Sequence, residues 1–288
     1  MISLPLAVNA GNFELQLSLL WYHHRKLYGA NAWRKVVAMI VKRNLPGEQK
    51  TNDNPWNISV PYVMTESCFD YLNLETVDYL PLNTITSLAQ VLPLFDDDEV
   101  LEVIDCDQFH IRPHPVFNIQ DNQIICDAIY EDWHLKSTTS NKHMVMPFIA
   151  VSAIVRQINS MQYPYNGGFV PIIAKAKTFR KIVIDWIQAT KKIFQHAKVK
   201  EIAYWSSMYG LQVACANNNI EMRGQECVYI PPFPLKDSHY CCHYSVDTKF
   251  DKKKINTIDD IDVSKFDDNI FYNGIRDWYN WRKNENAV

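Results

Sequence analysis

The residues best suited to chemistry lie in one short stretch, Glu99 to His110, EVLEVIDCDQFH. A mostly apolar, β-rich run from Val100 to Ile104 ends abruptly in Asp105-Cys106-Asp107, with Phe109, His110, Arg112, Pro113 and His114 behind it. The pattern predicts a buried strand that delivers two acids to its C-terminal end. Residues two apart in extended chain point the same way, so both carboxylates can address one ion if extended backbone continues through Asp107. Hard oxygen ligands in an open arrangement suit Mg²⁺ or Mn²⁺, which share their shell with substrate phosphates and water. Asp-x-Asp is also an ordinary solvated turn. This copy stands out because it follows an apolar strand, and open α/β sheets bind ligands beyond the carboxyl ends of their strands.

Other reactive groups are more scattered. Lys42 and Arg43 follow a predicted strand, Val36 to Val41, where they are candidate phosphate or base contacts or simply a solvated strand exit. Glu131 and Asp132 sit among aromatic residues beyond a second apolar run, Ile124 to Ile129. Gly167 and Gly168 in the stretch Tyr163 to Ile172 allow a ligand to approach the backbone closely. His23-His24, His239 and His243 invite a zinc reading with the nearby cysteines, but no CxxC pair occurs and the adjacent Cys241-Cys242 cannot easily both reach one tetrahedral ion. There is no Gly-x-Ser-x-Gly elbow and no Cys/His pair in a recognisable protease context.

The elements that must position these groups alternate along the chain. Ile2 to Val8 reads as a first strand, Asn9-Ala10-Gly11-Asn12 as a tight turn, and Phe13 to about Leu27 as a helix capped by Asn12 and stopped at Gly29. The turn lacks the spacing of a dinucleotide fingerprint or a P-loop. Ile58 to Met64 is a third strand, Asn83 to Leu94 a helix, Thr178 to His196 the clearest amphipathic helix, Trp205 to Ala216 another helix, and Glu226 to Ile230 a late strand. Strands alternating with helices predict an α/β fold with a mostly parallel, mixed sheet flanked by helices. Two Trp and two Tyr between Phe271 and Trp281 show that the charged C-terminal segment still packs against something.

Composition sets outer bounds. With 288 residues and 47% apolar content, a substantial core is available. A net charge of −3 gives no global attraction to nucleic acid or membrane, so any polyanion must be met by a local patch. Seven cysteines, an odd number, do not make a disulfide framework, and no basic segment followed by an apolar stretch opens the chain, so the cytoplasm is the expected compartment. No apolar run approaches the roughly 18 residues that a bilayer-spanning helix needs.

Taken in order, these motifs resemble the metal-dependent glycosyltransferases of the GT-A fold. The resemblance rests on Asp105-Cys106-Asp107 at a strand end, Asn166-Gly167-Gly168-Phe169, a helix carrying Met208 and Leu211-Gln212, and His243 followed six residues on by Lys249. It covers most of the chain to about Lys254. Glycogenin-like and galactosyltransferase-like members carry a glycine three residues after the histidine, and Pro-Trp after the lysine. Here Val246 and Phe250 stand instead, and the Asp-Gln start of the helical motif is not obvious. The stretches NAGNFELQLSL, VLEVIDCDQFH, YNGGFVPI and HYSVDTKFDK are more specifically similar to phage-encoded enzymes that place arabinose on hydroxymethylcytosine in DNA.

The resemblance implies a single GT-A-like domain over 1–288, with a nucleotide-binding half at 1–110, a sugar and acceptor half at 111–254, and an extension at 255–288. It implies a UDP-sugar donor, Mn²⁺ or Mg²⁺ held by Asp105, Asp107 and His243, and Lys249 on the diphosphate, with Asp105 also acting near the ribose or through water. Val8, Asn9 and Ala10 then address the base and ribose, and Asn166, Gly167 and Gly168 line the sugar and acceptor side. Glu131 or Asp132 is the candidate base if the anomeric centre inverts. A DNA acceptor implies a phosphate track, for which Arg25, Lys26, Arg34, Lys35, Arg180, Lys181 and the lysines at 252–254 are available, and a host-cell cytoplasmic site for a phage enzyme. The alternatives are a glycan or protein acceptor, or a metal-dependent nucleotidyl or phosphoryl transferase, which would use paired acids without needing His243 and Lys249. A non-catalytic binding module is the remaining reading, with the acids as a turn.

Overall fold

The computed structural model describes residues 1–8, 13–42, 59–72, 81–127, 169–196, 206–231, 234–244, 250, 255 and 257–285. Along the chain the described elements are β1 (Ile2–Val8), α1 (Phe13–Tyr28), β2 (Ala38–Val41), β3 (Tyr62–Thr65), α2 (Cys68–Leu72), α3 (Pro81–Val91), β4 (Val100–Asp105), β5 (Gln108–His110), β6 (Gln123–Asp127), β7 (Phe169–Lys175), α4 (Ala176–His196), α5 (Ser206–Asn217), β8 (Glu221–Gln225), β9 (Val228–Tyr229), β10 (Cys241–His243) and α6 (Ile270–Glu285). They form two compact units, Met1–Met64 with Ile104–Val116 and Cys227–Val288, and Thr65–Val103 with Phe117–Glu226. The α/β class expected from the sequence is the class found.

In the first unit the strands run in the order β3-β2-β1. β1 and β2 are parallel, with Leu6 opposite Met39 and Val8 opposite Val41. Every residue of β2 and six of the seven in β1 are buried, as strands covered on both faces require. Helix α1 buries Leu17, Leu19, Leu20, Trp21, His23 and His24, which is burial nearly all round and explains why its sequence shows no clean apolar stripe. Gly29 ends it with φ +53°, a left-handed conformation that glycine adopts without a Cβ penalty.

The C-terminal helix α6 packs on α1. Trp278 donates from Nε1 to Ser18 Oγ at 3.1 Å, His23 Nε2 bonds the Gly274 carbonyl at 3.3 Å, and Arg282 donates to Glu14 at 3.3 Å. Leu20, Phe109, Tyr244, Phe271 and Trp278 share one buried cluster. The aromatic residues of the 255–288 segment therefore complete a core whose other half comes from the start of the chain.

A small three-stranded sheet in the same unit runs β5-β10-β9. β10 is antiparallel to β5, with Cys241 opposite His110, Cys242 opposite Phe109 and His243 opposite Gln108, and parallel to β9. β9 is shorter than the strand expected over Glu226 to Ile230. The chain meets Pro231 directly afterwards, and proline donates no ladder hydrogen bond.

In the second unit the order is β4-β7-β6-β8. β7 is antiparallel to both neighbours, with Leu101 opposite Ala174 and Ile125 opposite Ile173, while β6 and β8 are parallel. The sequence of β8, EMRGQ, carries little strand propensity and is not predicted. Its pairing with β6 outweighs local preference. Helix α4 buries Phe179, Ile182, Trp186, Ile187, Thr190 and Ile193 at helical spacing, and Trp186 Nε1 donates to the Ser207 carbonyl of α5 at 2.7 Å.

Candidate functional site

The site forms at the end of β4. Its last residue is Asp105, and the chain turns at Cys106-Asp107 before β5 begins at Gln108. Extended backbone does not continue through Asp107, so the two carboxylates do not share a side by strand alternation. The turn brings them together instead. The Asp105 N–H donates to Gln108 Oε1 at 3.1 Å, and Cys106 Sγ donates to Gln16 Oε1 of α1 at 3.2 Å, which fixes both ends of the turn.

His243 arrives from the far end of the sequence through the β5–β10 register. It closes β10 opposite Gln108, and the following Tyr244 N–H donates to the Asp107 carbonyl at 3.3 Å. That places His243 Nε2 3.3 Å from Asp107 Oδ1. One donor atom from each of Asp105, Asp107 and His243 lies within 4.8 Å of the others. Asp107 is 6% exposed, and Asp105 and His243 are half-buried.

Two carboxylates this close repel, and burial weakens the screening that water would supply. A divalent cation relieves both costs, and an oxygen-rich set completed by one imidazole fits Mg²⁺ or Mn²⁺. In Tyr244, whose N–H bonds Asp107, burial drives the hydroxyl far above its usual range, so it stays neutral.

The other residues singled out by sequence are distributed as follows. Val8 ends β1 with its side chain buried, so any ligand contact there falls to its backbone. Lys42 follows β2 and is half-buried. Asn9, Ala10, Glu131, Asp132, Asn166, Gly167, Gly168 and Lys249 lie outside the described residues, as do the lysines at 252–254. Of the basic candidates, Lys26 bonds Asp277 at 2.6 Å, and Arg25 lies 6.0 Å from the Trp281 ring. Arg34 lies 4.6 Å from the ring of Trp33, which is itself 57% exposed. In the second unit Arg180 pairs with Asp97 and donates to the Leu92 carbonyl at 2.7 Å, and Lys181 donates to the Asn218 carbonyl at 2.9 Å, so both serve the fold. Sequence reasoning missed Gln16 and Gln108, which hold the turn. Neither carries a signal in the sequence, since their partners are set by packing.

No helix among the described residues is long and apolar enough to cross a membrane. The family model of the Hydroxyproline O-arabinosyltransferase family N-terminal domain matches residues 7–224, so it includes Asp105 and Asp107 and stops short of His243. No curated protein matches the chain. Among solved structures, galactosyltransferase LgtC in complex with donor and acceptor sugar analogs is similar at 12% identity and a TM-score of 0.46, covering 85% of this chain and 87% of that one. An active-site mutant of LgtC gives the same values. By the family match, which spans most of its length, the chain belongs to the hydroxyproline O-arabinosyltransferase family and is a glycosyltransferase.

Proposed function

We propose that the chain is a metal-dependent glycosyltransferase that moves arabinose from a UDP-sugar to the hydroxymethyl group of hydroxymethylcytosine in DNA. The observation that carries the donor half is the convergence of Asp105, Asp107 and His243 within 4.8 Å at the end of β4. A departing nucleoside diphosphate gains negative charge as the glycosidic bond breaks, and a divalent ion held by these three residues would neutralise it. Asp107 and His243 keep the ion-facing donors fixed through the β5–β10 register, and Asp105 is held by the Gln108 side chain. Lys249 adds positive charge to the diphosphate, the backbone of Val8, Asn9 and Ala10 receives the nucleoside, and Lys42 stands at the neighbouring strand end. Asn166, Gly167 and Gly168 face the sugar, with Glu131 or Asp132 taking the acceptor proton in an inverting reaction.

The arabinosyl assignment is supported by the family, and the DNA acceptor rests on the resemblance of four sequence stretches to phage DNA-modifying enzymes. An exposed Trp33 under Arg34 offers a stacking and phosphate-contacting surface of the kind nucleic acids use. Reaching a hydroxymethyl group in a duplex requires the base to leave the stack. A second reading, transfer to hydroxyproline in a peptide, is favoured by the family's name, whereas membership of a glycosyltransferase family leaves no role for the nucleotidyl or phosphoryl transferase alternative.

The test offers a panel of UDP-sugars with Mn²⁺, or with Mg²⁺, to hydroxymethylcytosine DNA and to a hydroxyproline peptide, followed by mass spectrometry of digested nucleosides and of the peptide. Pentose on the nucleoside is expected from UDP-arabinose. Pentose on the peptide alone transfers the conclusion to the second reading, and no transfer to either overturns both.

A further inference from the structure

We propose a second metal site, for Zn²⁺ or a similar borderline transition ion, on His24, His110 and His114. It stands apart from the donor site and does not depend on the proposed reaction. One ring nitrogen from each of the three lies within 4.8 Å of the others. The rings meet in a cluster, with centroids 4.7 Å apart for His24 and His110, and 4.4 Å for His110 and His114. His24 and His110 are fully buried and His114 is half-buried.

A metal ion is bound through the lone pair of an imidazole ring nitrogen, and each of the three rings brings one nitrogen within reach of the other two. Ring orientation is set by the surroundings. His110 stacks on Tyr240 with an interplanar angle of 7°, His114 stacks on Tyr28, and the His114 backbone N–H donates to the Tyr28 hydroxyl at 2.8 Å. Ser3 Oγ lies 3.0 Å from His114 Nε2. A hydroxyl hydrogen-bonded to a ring nitrogen is the usual outer support of a metal-bound histidine.

Three nitrogens with an open fourth position select Zn²⁺ over the Mg²⁺ or Mn²⁺ that suits the oxygen-rich site. The ion would tie α1 to the last residue of β5 and to the segment that follows it. Since β5 starts at the residue after Asp107, the tie anchors the strand from which the acidic turn is hung. The pattern was hard to see in the sequence because zinc is sought with cysteines, and His24 lies far from His110 in the chain.

Untagged full-length protein, stripped of metal and titrated with Co²⁺, is expected to show the intense visible bands of a four- or five-coordinate site. Thiolate charge-transfer absorption in the near ultraviolet is expected to be absent, because all three ligands are nitrogen. Protein from zinc-supplemented culture should retain about one Zn²⁺ per chain after dialysis, as a tightly held three-histidine zinc site does. Asp107→Asn should keep both signals, whereas His114→Gln should lose them by more than tenfold with its far-ultraviolet circular dichroism unchanged. Absence of both signals in the wild type overturns the proposal whether or not the variant folds. So does a folded His114→Gln protein with undiminished signals, or loss of the signals in Asp107→Asn alone.

Discussion

His23 links three elements, and its protonation has a calculable effect on stability. The ring stacks on Phe109 of β5 with centroids 4.2 Å apart, and its Nε2 bonds the Gly274 carbonyl of α6 at 3.3 Å. Burial is the main cause that lowers its pKa from 6.5 to about 3, against a smaller opposing effect of the Gly274 bond. In the unfolded chain the group returns to about 6.5. Between those values the unfolded state binds a proton that the folded state refuses, so stability is fully present above about 6.5 and is lost as the pH falls toward about 3. At about pH 5 the group lies roughly 1.5 pH units below its unfolded pKa, which at about 1.4 kcal/mol per unit is a loss of about 2 kcal/mol. His23→Leu removes this proton binding and also leaves the Gly274 carbonyl without its side-chain partner, costing about 1 kcal/mol at neutral pH. The two stability curves therefore cross: the variant is the weaker protein near pH 7 and the stronger one near pH 5. Urea unfolding at both pH values, wild type beside variant, measures the crossing. Parallel curves would refute the buried, neutral state of His23.

Two other perturbations follow from local geometry. Gly210 lies in α5 against α4, and an added Cβ would sit 2.9 Å from the Thr190 backbone nitrogen, beside the Thr190 side chain. Gly210→Ala is expected to destabilise by about 1–3 kcal/mol through overpacking, read as a lowered thermal midpoint, and an unchanged midpoint would show that the two helices can move apart freely. Asp107→Asn keeps the shape of the side chain and removes a charge from the donor set, so calorimetry should find Mn²⁺-dependent UDP binding reduced by more than the roughly 10–100-fold that loss of an outer-shell partner costs. Equal Mn²⁺ dependence in wild type and variant would count against Asp107 as a ligand.

Much of the frame was legible because it is written in local patterns. β1 occupies the stretch predicted for it, α1 and α4 lie within a residue or two of expectation, and β4 begins where the apolar run begins. In each, the alternation or the helical stripe is long enough to outweigh local noise. The acid pair was legible for the same reason, as an abrupt end to that run. Its geometry was not, because the sequence left open whether extended backbone continues through Asp107, and the chain turns there. β5 and β10 were not predicted at all. A three-residue strand carries almost no periodicity, and its existence depends on partners more than a hundred residues away. Gln16 and Gln108 were passed over for a related reason, since a polar residue that holds a turn looks like any other until its partner is known.

The dependence of the donor set on those short strands has a consequence. Side chains alternate along a strand, so a one-residue slip between β5 and β10 would send His243 to the opposite face of the sheet from Asp107. Three residues of ladder are too few to fix a register by hydrogen bonds alone, because neighbouring registers make nearly as many. The choice is made by what lies under the ladder. Phe109 and Cys242, directly opposite one another, are both fully buried, and they share a cluster with Tyr244, Phe271 and Trp278. β5 is buried along its whole length, so a slip would turn Phe109 out of this cluster and set the polar Gln108 or His110 against it, losing up to about 1.5–3 kcal/mol of apolar burial. The packing of a C-terminal helix therefore reaches the acidic turn through the register of two short strands, and the residues that could hold a cation are aligned by a core that contains none of them.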